Sequence, residues 1–419
     1  MKSKRCVRTA ALGAAAGLVV ALSAGAAGAG GDAPERESNG VLKIGTLLPE
    51  TGELDILGPP MINGVRLAVQ EINDTGGVND APIELIETDD GTDPDIANAA
   101  VDRLLQEDVD LIVGAAASGV TTAVIDKITG AGVVECSPSN TGVQFTDYPD
   151  EGLYFRTAPP DNLQSQVLAD LIVDDGNEDV TIVARSDEYG EGFAGFLEEE
   201  LDGAGADVQD VVIYDPEAAS FDDVAEQIAD SDPEAVAIIG FSEAGSVVTA
   251  AIEQGVGPAD LQWYGTDGIQ SSTFYEGIDP NNPAVVEGIR GTAPSAAPAN
   301  GEATFQERFQ AYAPGTDTIF SGHAYDCVTI SALAATAAGS DASQEIADNI
   351  NAVTKKGTKC SLYAECVTLL QDGKNINYQG AAGPLEFVRA GEPGKGAYDT
   401  YEFQADGSYE IIDESINAG

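Results

Sequence analysis

The sequence predicts an α/β protein of two similar lobes, each a mostly parallel sheet flanked by helices, with a hinge and a cleft between them. Three observations carry this. From Val41 onward short apolar runs alternate with longer stretches of helical periodicity, the pattern of strands joined by crossover helices. The alternation runs through once and begins again after Arg156-Thr157. Roughly 390 residues follow the leader, enough for two domains of ordinary size.

The first eight residues carry Lys2, Lys4, Arg5 and Arg8, ahead of an uncharged Ala/Gly/Leu/Val run to Gly31. This is the layout of a secretory signal, expected over 1–29 with cleavage between Ala24 and Gly31. The only early cysteine, Cys6, precedes the apolar run, so a lipid anchor is disfavoured. Leu42 to Leu48 reads as a strand, then a helix from about Ile62 to Ile72 with Ile62, Val65, Val69 and Ile72 on one face. Gly76-Gly77 stops it. Ile83 to Glu87 is the second strand, and Asp93 caps a helix whose first position is Pro94 and whose inner face is Val101, Leu104 and Leu105. Leu111 to Val113 is the third strand, Gly119 to Ile128 a helix with Ser118 as its expected cap, and Val133-Val134 begins a fourth strand.

The second series reads as helix Gln164 to Ile172, strand Val180 to Ala184, helix Gly192 to Leu201, strand Val208 to Tyr214, helix Asp222 to Ala229, strand Ala235 to Gly240, helix Ser246 to Gln254 and strand Leu261 to Tyr264. Thr292 to Asn300, rich in Pro and Ala, reads as a return linker. Helices near Thr304 to Tyr312, Ala324 to Ala338 and Ser343 to Ala352 then pack back on the first lobe. A strand pair, Pro384 to Val388 and Thr400 to Phe403, closes the chain. The expected division is 41–157 plus about 293–380 for lobe 1, and 158–292 plus about 381–412 for lobe 2.

Ser118 follows a strand and the small-residue run Gly114-Ala115-Ala116-Ala117 at a helix start, where free backbone N–H groups and a hydroxyl meet an anion. The next strand ends in SPSNT, with Ser139 and Thr141 at the same sheet edge. Ligands of open α/β sheets bind outside the carboxyl ends of the strands. Ordinary capping and turn chemistry would use the same residue types, so residue type alone leaves both readings open. Asp267 before Gly268 is a turn former by itself, and Tyr189 in SDEYGEG a surface aromatic.

The stretch GTLLPETGELDILGPPMINGVRLAVQEINDTGGVNDAPIELIETDDGTDP from Gly45, together with SPSNT, SDEYGEG and WYGTDG, resembles the type I periplasmic binding proteins of ABC importers. The resemblance is to the branched-chain amino acid (Leu/Ile/Val) binding family, over about 41–410. It implies a two-lobed receptor that captures a small amino acid-like ligand and delivers it to a membrane permease with its ATPase subunits. It implies that Ser118 holds the ligand carboxylate, that Ser139 and Thr141 hold its charged ends, that Tyr189 closes over it, that Phe241 adds an apolar wall and that Asp267 pairs with its ammonium. One departure bears on the side-chain pocket: Leu57 precedes Gly58 where the family often carries an aromatic. A ligand-sensing receptor of the same fold, or a carrier of amides, urea or aromatic acids, is the alternative.

Composition narrows the classes further. The chain holds 19 Lys and Arg against 71 Asp and Glu, a formal charge of −52, which repels nucleic acid and anionic lipid and suits a monomer kept soluble in salty surroundings. Gly190, Gly192 and Gly195 spell GxGxxG, but Arg185 to Tyr189 separate strand from glycine where a dinucleotide site needs a tight turn. Asp89 to Asp95 resembles a calcium loop without the Glu at its twelfth position, which is Ala100, and reads instead as a solvated turn with a helix cap. A secreted enzyme using Asp89 and Asp90 is the third class, for which an Asp-Asp turn is poor support. The lone His323 excludes poly-His zinc sites and most Ser-His-Asp schemes, and is expected beside a helix start. No catalytic residue, metal or cofactor is expected. In an oxidising compartment Cys360 and Cys366 close a small loop worth about 2 kcal/mol, while Cys136 and Cys327 either pair or stay buried as thiols, free thiols being the expectation.

Overall fold

The computed structural model describes residues 36–295, 303–388 and 391–418. The expected leader over 1–29, its cleavage site and most of the expected return linker lie outside the described residues.

The first half runs β1 (Lys43–Leu48), α1 (Gly58–Asp74), β2 (Glu84–Asp89), α2 (Pro94–Gln106), β3 (Leu111–Gly114), α3 (Ser118–Thr129), β4 (Val134–Ser137) and β5 (Tyr154–Arg156). The five strands make one parallel sheet in the order β2-β1-β3-β4-β5. Ile44 of β1 stands between Leu85 and Leu111 in register. The second half runs α4 (Asp161–Asp174), β6 (Asp179–Arg185), α5 (Glu188–Ala204), β7 (Asp207–Tyr214), α6 (Asp222–Ser231), β8 (Ala235–Ile239), α7 (Ala244–Gln254), β9 (Gln262–Gly265) and β10 (Arg290–Pro294). The chain continues through α8 (Ala303–Tyr312), α9 (Ser321–Ala338), α10 (Ser343–Val353), β11 (Thr358–Cys360), α11 (Tyr363–Gln371), β12 (Ile376–Tyr378), β13 (Gly396–Phe403) and β14 (Tyr409–Ala418).

The second sheet has the order β7-β6-β8-β9-β10-β13-β14, parallel until β13 and β14 add antiparallel at one edge. Its first five strands repeat the order of the first sheet, β6 standing for β1, β8 for β3 and β9 for β4. Each sheet therefore has a switch point, β1/β3 and β6/β8, where the crossovers leave in opposite directions and open a crevice.

Local chemistry explains most boundaries. Asp93 accepts from the N–H groups of Asp95 and Ile96, with Pro94 opening α2, and Asp187 caps α5 by accepting from Gly190 N at 2.8 Å. Helix α9, buried from Ser321 to Ala335, packs on α1 and α10. Gly64 permits the α1 contact, since a Cβ there would lie 2.3 Å from Ser321 O.

Four expectations are corrected. Pro384 to Val388 is not a strand: only an isolated bridge joins Gln379 to Pro384, and the closing hairpin is β13 with β14. Thr292 to Pro294 lies in β10 rather than in a linker. Ser118 is not a cap; Ala117 flanks α3 and Ser118 is its first helical residue, because its hydroxyl accepts instead from Gly142 N at 3.2 Å. Cys136 and Cys327 are not free thiols, since the packing of α9 over β4 brings their Cα atoms to 5.8 Å and a disulfide joins them. Cys360 and Cys366, flanking the start of α11, are also joined.

Candidate functional site

The loops leaving both switch points converge on one small space. Leu54 and Leu57 reach it from the loop after β1, Ala116, Ala117 and Ser118 from the loop after β3, and Ser139 and Thr141 from the loop after β4. The equivalent loops of the second sheet supply Tyr189 after β6, Phe241 after β8 and Asp267 after β9, and Phe320 enters ahead of α9. Only about 10 Å³ of it is open to a water-sized sphere, far below the roughly 300–1,000 Å³ usual for small-molecule sites, so the walls must part to admit a ligand.

The first-lobe wall is polar and held in place by its own backbone. Ser139 Oγ donates to Ala116 O at 3.1 Å, and Ser137 Oγ donates to Ala115 O at 2.6 Å while accepting from Asn140 N at 3.1 Å. Asn140 then donates to Thr121 Oγ1 and accepts from the Tyr154 hydroxyl. These bonds staple the SPSNT loop across the start of α3. The first N–H groups of a helix have no partner within it, so the positive end of α3, with Ser118 in its first turn, faces the space.

The second-lobe wall is aromatic with one acid. Tyr189 stacks on Phe241 at 5.4 Å between centroids, and the Arg185 guanidinium lies 3.9 Å from the Phe241 centroid. The Tyr189 hydroxyl reaches Thr266 Oγ1 at 2.7 Å and Asp267 Oδ1 at 3.3 Å. Gln164 Nε2 donates to the same carboxylate oxygen at 2.8 Å. Asp267 is 4 % exposed; burial pushes its carboxyl up to about 6, against the pull of the Gln164 and Tyr189 donors. Among the described residues no Lys or Arg lies within ion-pair distance of it. A buried acid without a cation is costly unless one arrives.

The halves also meet at the rim. Arg185 Nη2 donates to Glu53 Oε2 at 2.9 Å, Ser242 N donates to Glu53 O at 3.0 Å, and Ser272 N and Oγ both donate to Asp317 Oδ2 at 2.9 Å. The arrangement is closed.

Ser118, Ser139, Thr141, Tyr189, Phe241, Asp267 and Leu57 thus all line one space. Ala116 and Ala117, from the small-residue run, share the lining, as do Leu54 and Phe320, which no site motif in the sequence marks. The sole tryptophan, Trp263, is not in the wall: it is buried in β9, with Nε1 donating to Val256 O at 3.1 Å. His323 sits in the first turn of α9, where burial drives its pKa down to about 3 and keeps the ring neutral. The Asp89 turn is internally satisfied, Asp89 accepting from Glu50 N, Thr51 N, Thr51 Oγ1 and Gly91 N. Among the described residues no helix is long and apolar enough to cross a membrane.

Comparison with known proteins bears on the same span. The family described as periplasmic binding protein matches residues 41–398. A Leu/Ile/Val-binding protein homolog of Brucella melitensis is 27% identical over 383 residues, 88% of this chain and 93% of that one. The substrate-binding protein BasB of a chemotactic signal transduction system in Halobacterium salinarum is 27% identical over 363 residues, 84% of each chain. In fold, the chain is similar to the branched-chain amino acid transporter substrate-binding protein LivJ of Streptococcus pneumoniae, crystallised with isoleucine. The TM-score is 0.74 at 23% identity, covering 90% of this chain and 99% of that one.

Proposed function

The chain belongs to the periplasmic binding proteins, and from that premise we propose that it captures an amino acid-like solute in the closed cleft and hands it to an ABC-type permease. One observation carries the reading: a single small space has an anion-seeking end and a cation-seeking end. The start of α3 with Ser118 is the first, and the unpaired Asp267 is the second. The ligand carboxylate is held by Ser118 and the backbone around it, with Ser139 and Thr141 sharing its charged ends. Its ammonium lies against Asp267 and the Thr141 hydroxyl. Leu54, Leu57, Phe241 and Phe320 suit an aliphatic side chain, and Tyr189 covers it from the second lobe.

Binding proceeds as hinge closure stabilised by contacts that only the closed state makes. In this reading 41–157 with about 293–380 acts as one lobe and 158–292 with about 381–412 as the other, exported and acting as a monomer. The role is capture without turnover. A thermal-shift panel of branched-chain amino acids, amides, urea and aromatic acids tests it, since a ligand at 100 times its dissociation constant stabilises by about 2.7 kcal/mol. Stabilisation by amides or benzoate but not by any amino acid would overturn the ligand class.

A second reading is a sensor that passes the ligand-bound state to a membrane signalling receptor. The likeness to the Halobacterium salinarum chemotaxis protein favours it. Co-purification separates the two: permease subunits support transport, a signalling receptor supports sensing.

A further inference from the structure

We propose that Asp161 is a second acid of this site, a positioning residue that acts through Thr141 and gives up its proton when a ligand cation is captured beside Asp267. The inference rests on the amino acid reading above and extends it to a residue behind the cavity wall.

Asp161 opens α4 where the chain passes from the first sheet to the second. Its backbone N–H donates to Thr141 O at 2.9 Å, locking the two residues together. Its side chain is 1 % exposed, yet no donor meets either carboxylate oxygen in full hydrogen-bond geometry, and the Thr141 hydroxyl is the nearby donor that acts on it. Unpartnered buried polar groups surround it on the same helix, Gln164 Oε1 and Ser165 Oγ. A carboxylate in that position needs a reason, because native interiors rarely leave such groups unsatisfied.

The titratable and charged groups facing Asp161 are Asp267 after β9, Arg156 at the end of β5, Asp187 ahead of α5, Tyr189 in the first turn of α5 and Tyr398 in β13. The cation in this set is already committed: Arg156 donates to Glu392, to Gly142 O and to Thr146 Oγ1. Burial drives both phenols up, so they stay neutral. Burial pushes the Asp161 carboxyl up to about 8, the nearby Thr141 hydroxyl opposes this and the Asp267 carboxylate adds to it. Two acids so placed cannot both ionise cheaply and titrate as a pair.

A ligand ammonium set between Asp267 and Thr141 stands one hydroxyl away from Asp161 and reverses that balance. The Thr141 hydroxyl then donates to the ionised Asp161 and turns a lone pair toward the ammonium, and the released proton goes to the buffer. Capture of a cationic ligand is therefore linked to proton release, while a ligand with no amine leaves Asp161 protonated. The sign follows: affinity for an amino acid rises with pH while ligand-free Asp161 is protonated, and levels off above about pH 8.

Calorimetry of L-leucine at pH 7 in buffers of different ionisation enthalpy tests this. The expected result is release of about one proton, with affinity rising between about pH 6 and 8. Asp161→Asn should abolish the release and weaken leucine roughly tenfold without lowering the melting temperature. Leucine binding with no proton release and no pH dependence would overturn the proposal. A carboxyl NMR titration of the ligand-free protein decides the point independently of any ligand. Asp161 should titrate above about pH 6 and move down in Asp267→Asn; an ordinary carboxylate titration, indifferent to Asp267, would overturn it. If neither leucine nor any other amino acid binds the unmodified protein, the amino acid reading fails and this titration alone judges Asp161.

Discussion

At the scale of the residue, Asp267 concentrates the electrostatics of the cleft. It is buried, hydrogen-bonded by Gln164 and Tyr189, and has no cationic partner among the described residues. Asp267→Asn keeps the shape and removes the charge, so an amino acid ligand is expected to lose about 2–5 kcal/mol, roughly 30-fold to several thousand-fold in affinity, with the fold intact. Calorimetry beside a melting curve checks both halves of that statement; unchanged affinity refutes the ammonium assignment. Trp263 is a different case. Its indole is held inside the second lobe by Val256 O, so its fluorescence should follow unfolding in urea and respond little to ligand. The chemistry of the polar site residues was legible in sequence because Ser, Thr and Asp at strand ends leave a mark. Leu54 and Phe320 leave none, because an apolar residue that closes a cleft looks like one that fills a core.

At the scale of the element, the parallel strands and their helices stood out because each carries its own apolar run or stripe. The elements read differently from sequence depend on a partner. Strand β5 has three residues and exists by pairing with β4. Strand β10 bridges β9 and β13, and its Pro294 disguised it as linker. Strand β14 is an edge strand that β13 organises. Helix contacts are equally non-local: Gly64 on α1 touches Ser321 on α9, far along the chain. Gly64→Ala raises helix propensity yet drives a Cβ into a backbone carbonyl, so the net effect expected is a loss of about 1–3 kcal/mol. A urea melt showing stabilisation would mean that the two helices separate without cost.

At the scale of the whole molecule, two disulfides contribute unequally. Cys136–Cys327 closes a segment with a sequence separation of 191 and Cys360–Cys366 one of 6. Chain-entropy arithmetic gives about 5 kcal/mol for the first and about 2 kcal/mol for the second. Replacing Cys136 and Cys327 by Ala should therefore lower the urea midpoint more than replacing the other pair, and non-reduced peptide mapping of exported protein should recover both links. Stability also depends on pH. Burial raises Asp90 to about 7, Asp161 to about 8 and Asp326 to about 7. Their folded-state pKa values lie above the unfolded ones, so the stability they contribute is full below about pH 4 and is lost as pH rises through the folded values. His323, lowered to about 3 by burial, acts oppositely and loses stability as pH falls from about 6.5 toward that value. The ligand-free protein is expected to melt higher at about pH 5.5 than at pH 8, measured at constant high salt to screen the self-repulsion of so acidic a chain.

The sequence by itself determined the α/β class, the doubled order of strands and helices, the capped start of α2 and the residue types of the cleft. These depend on local periodicity and on side-chain chemistry, which a single chain displays directly. Tertiary structure decided that Ser118 serves the SPSNT loop rather than capping α3, that Cys136 meets Cys327, that β14 closes the second sheet and that Leu54 and Phe320 complete the cavity. It also placed Asp161 behind Thr141, with Arg156, the cation facing it, committed to Glu392. Each of these depends on which distant segments touch, and that is set by how two sheets and the helices around α9 exclude water together, a property of the assembled core that no window of sequence contains.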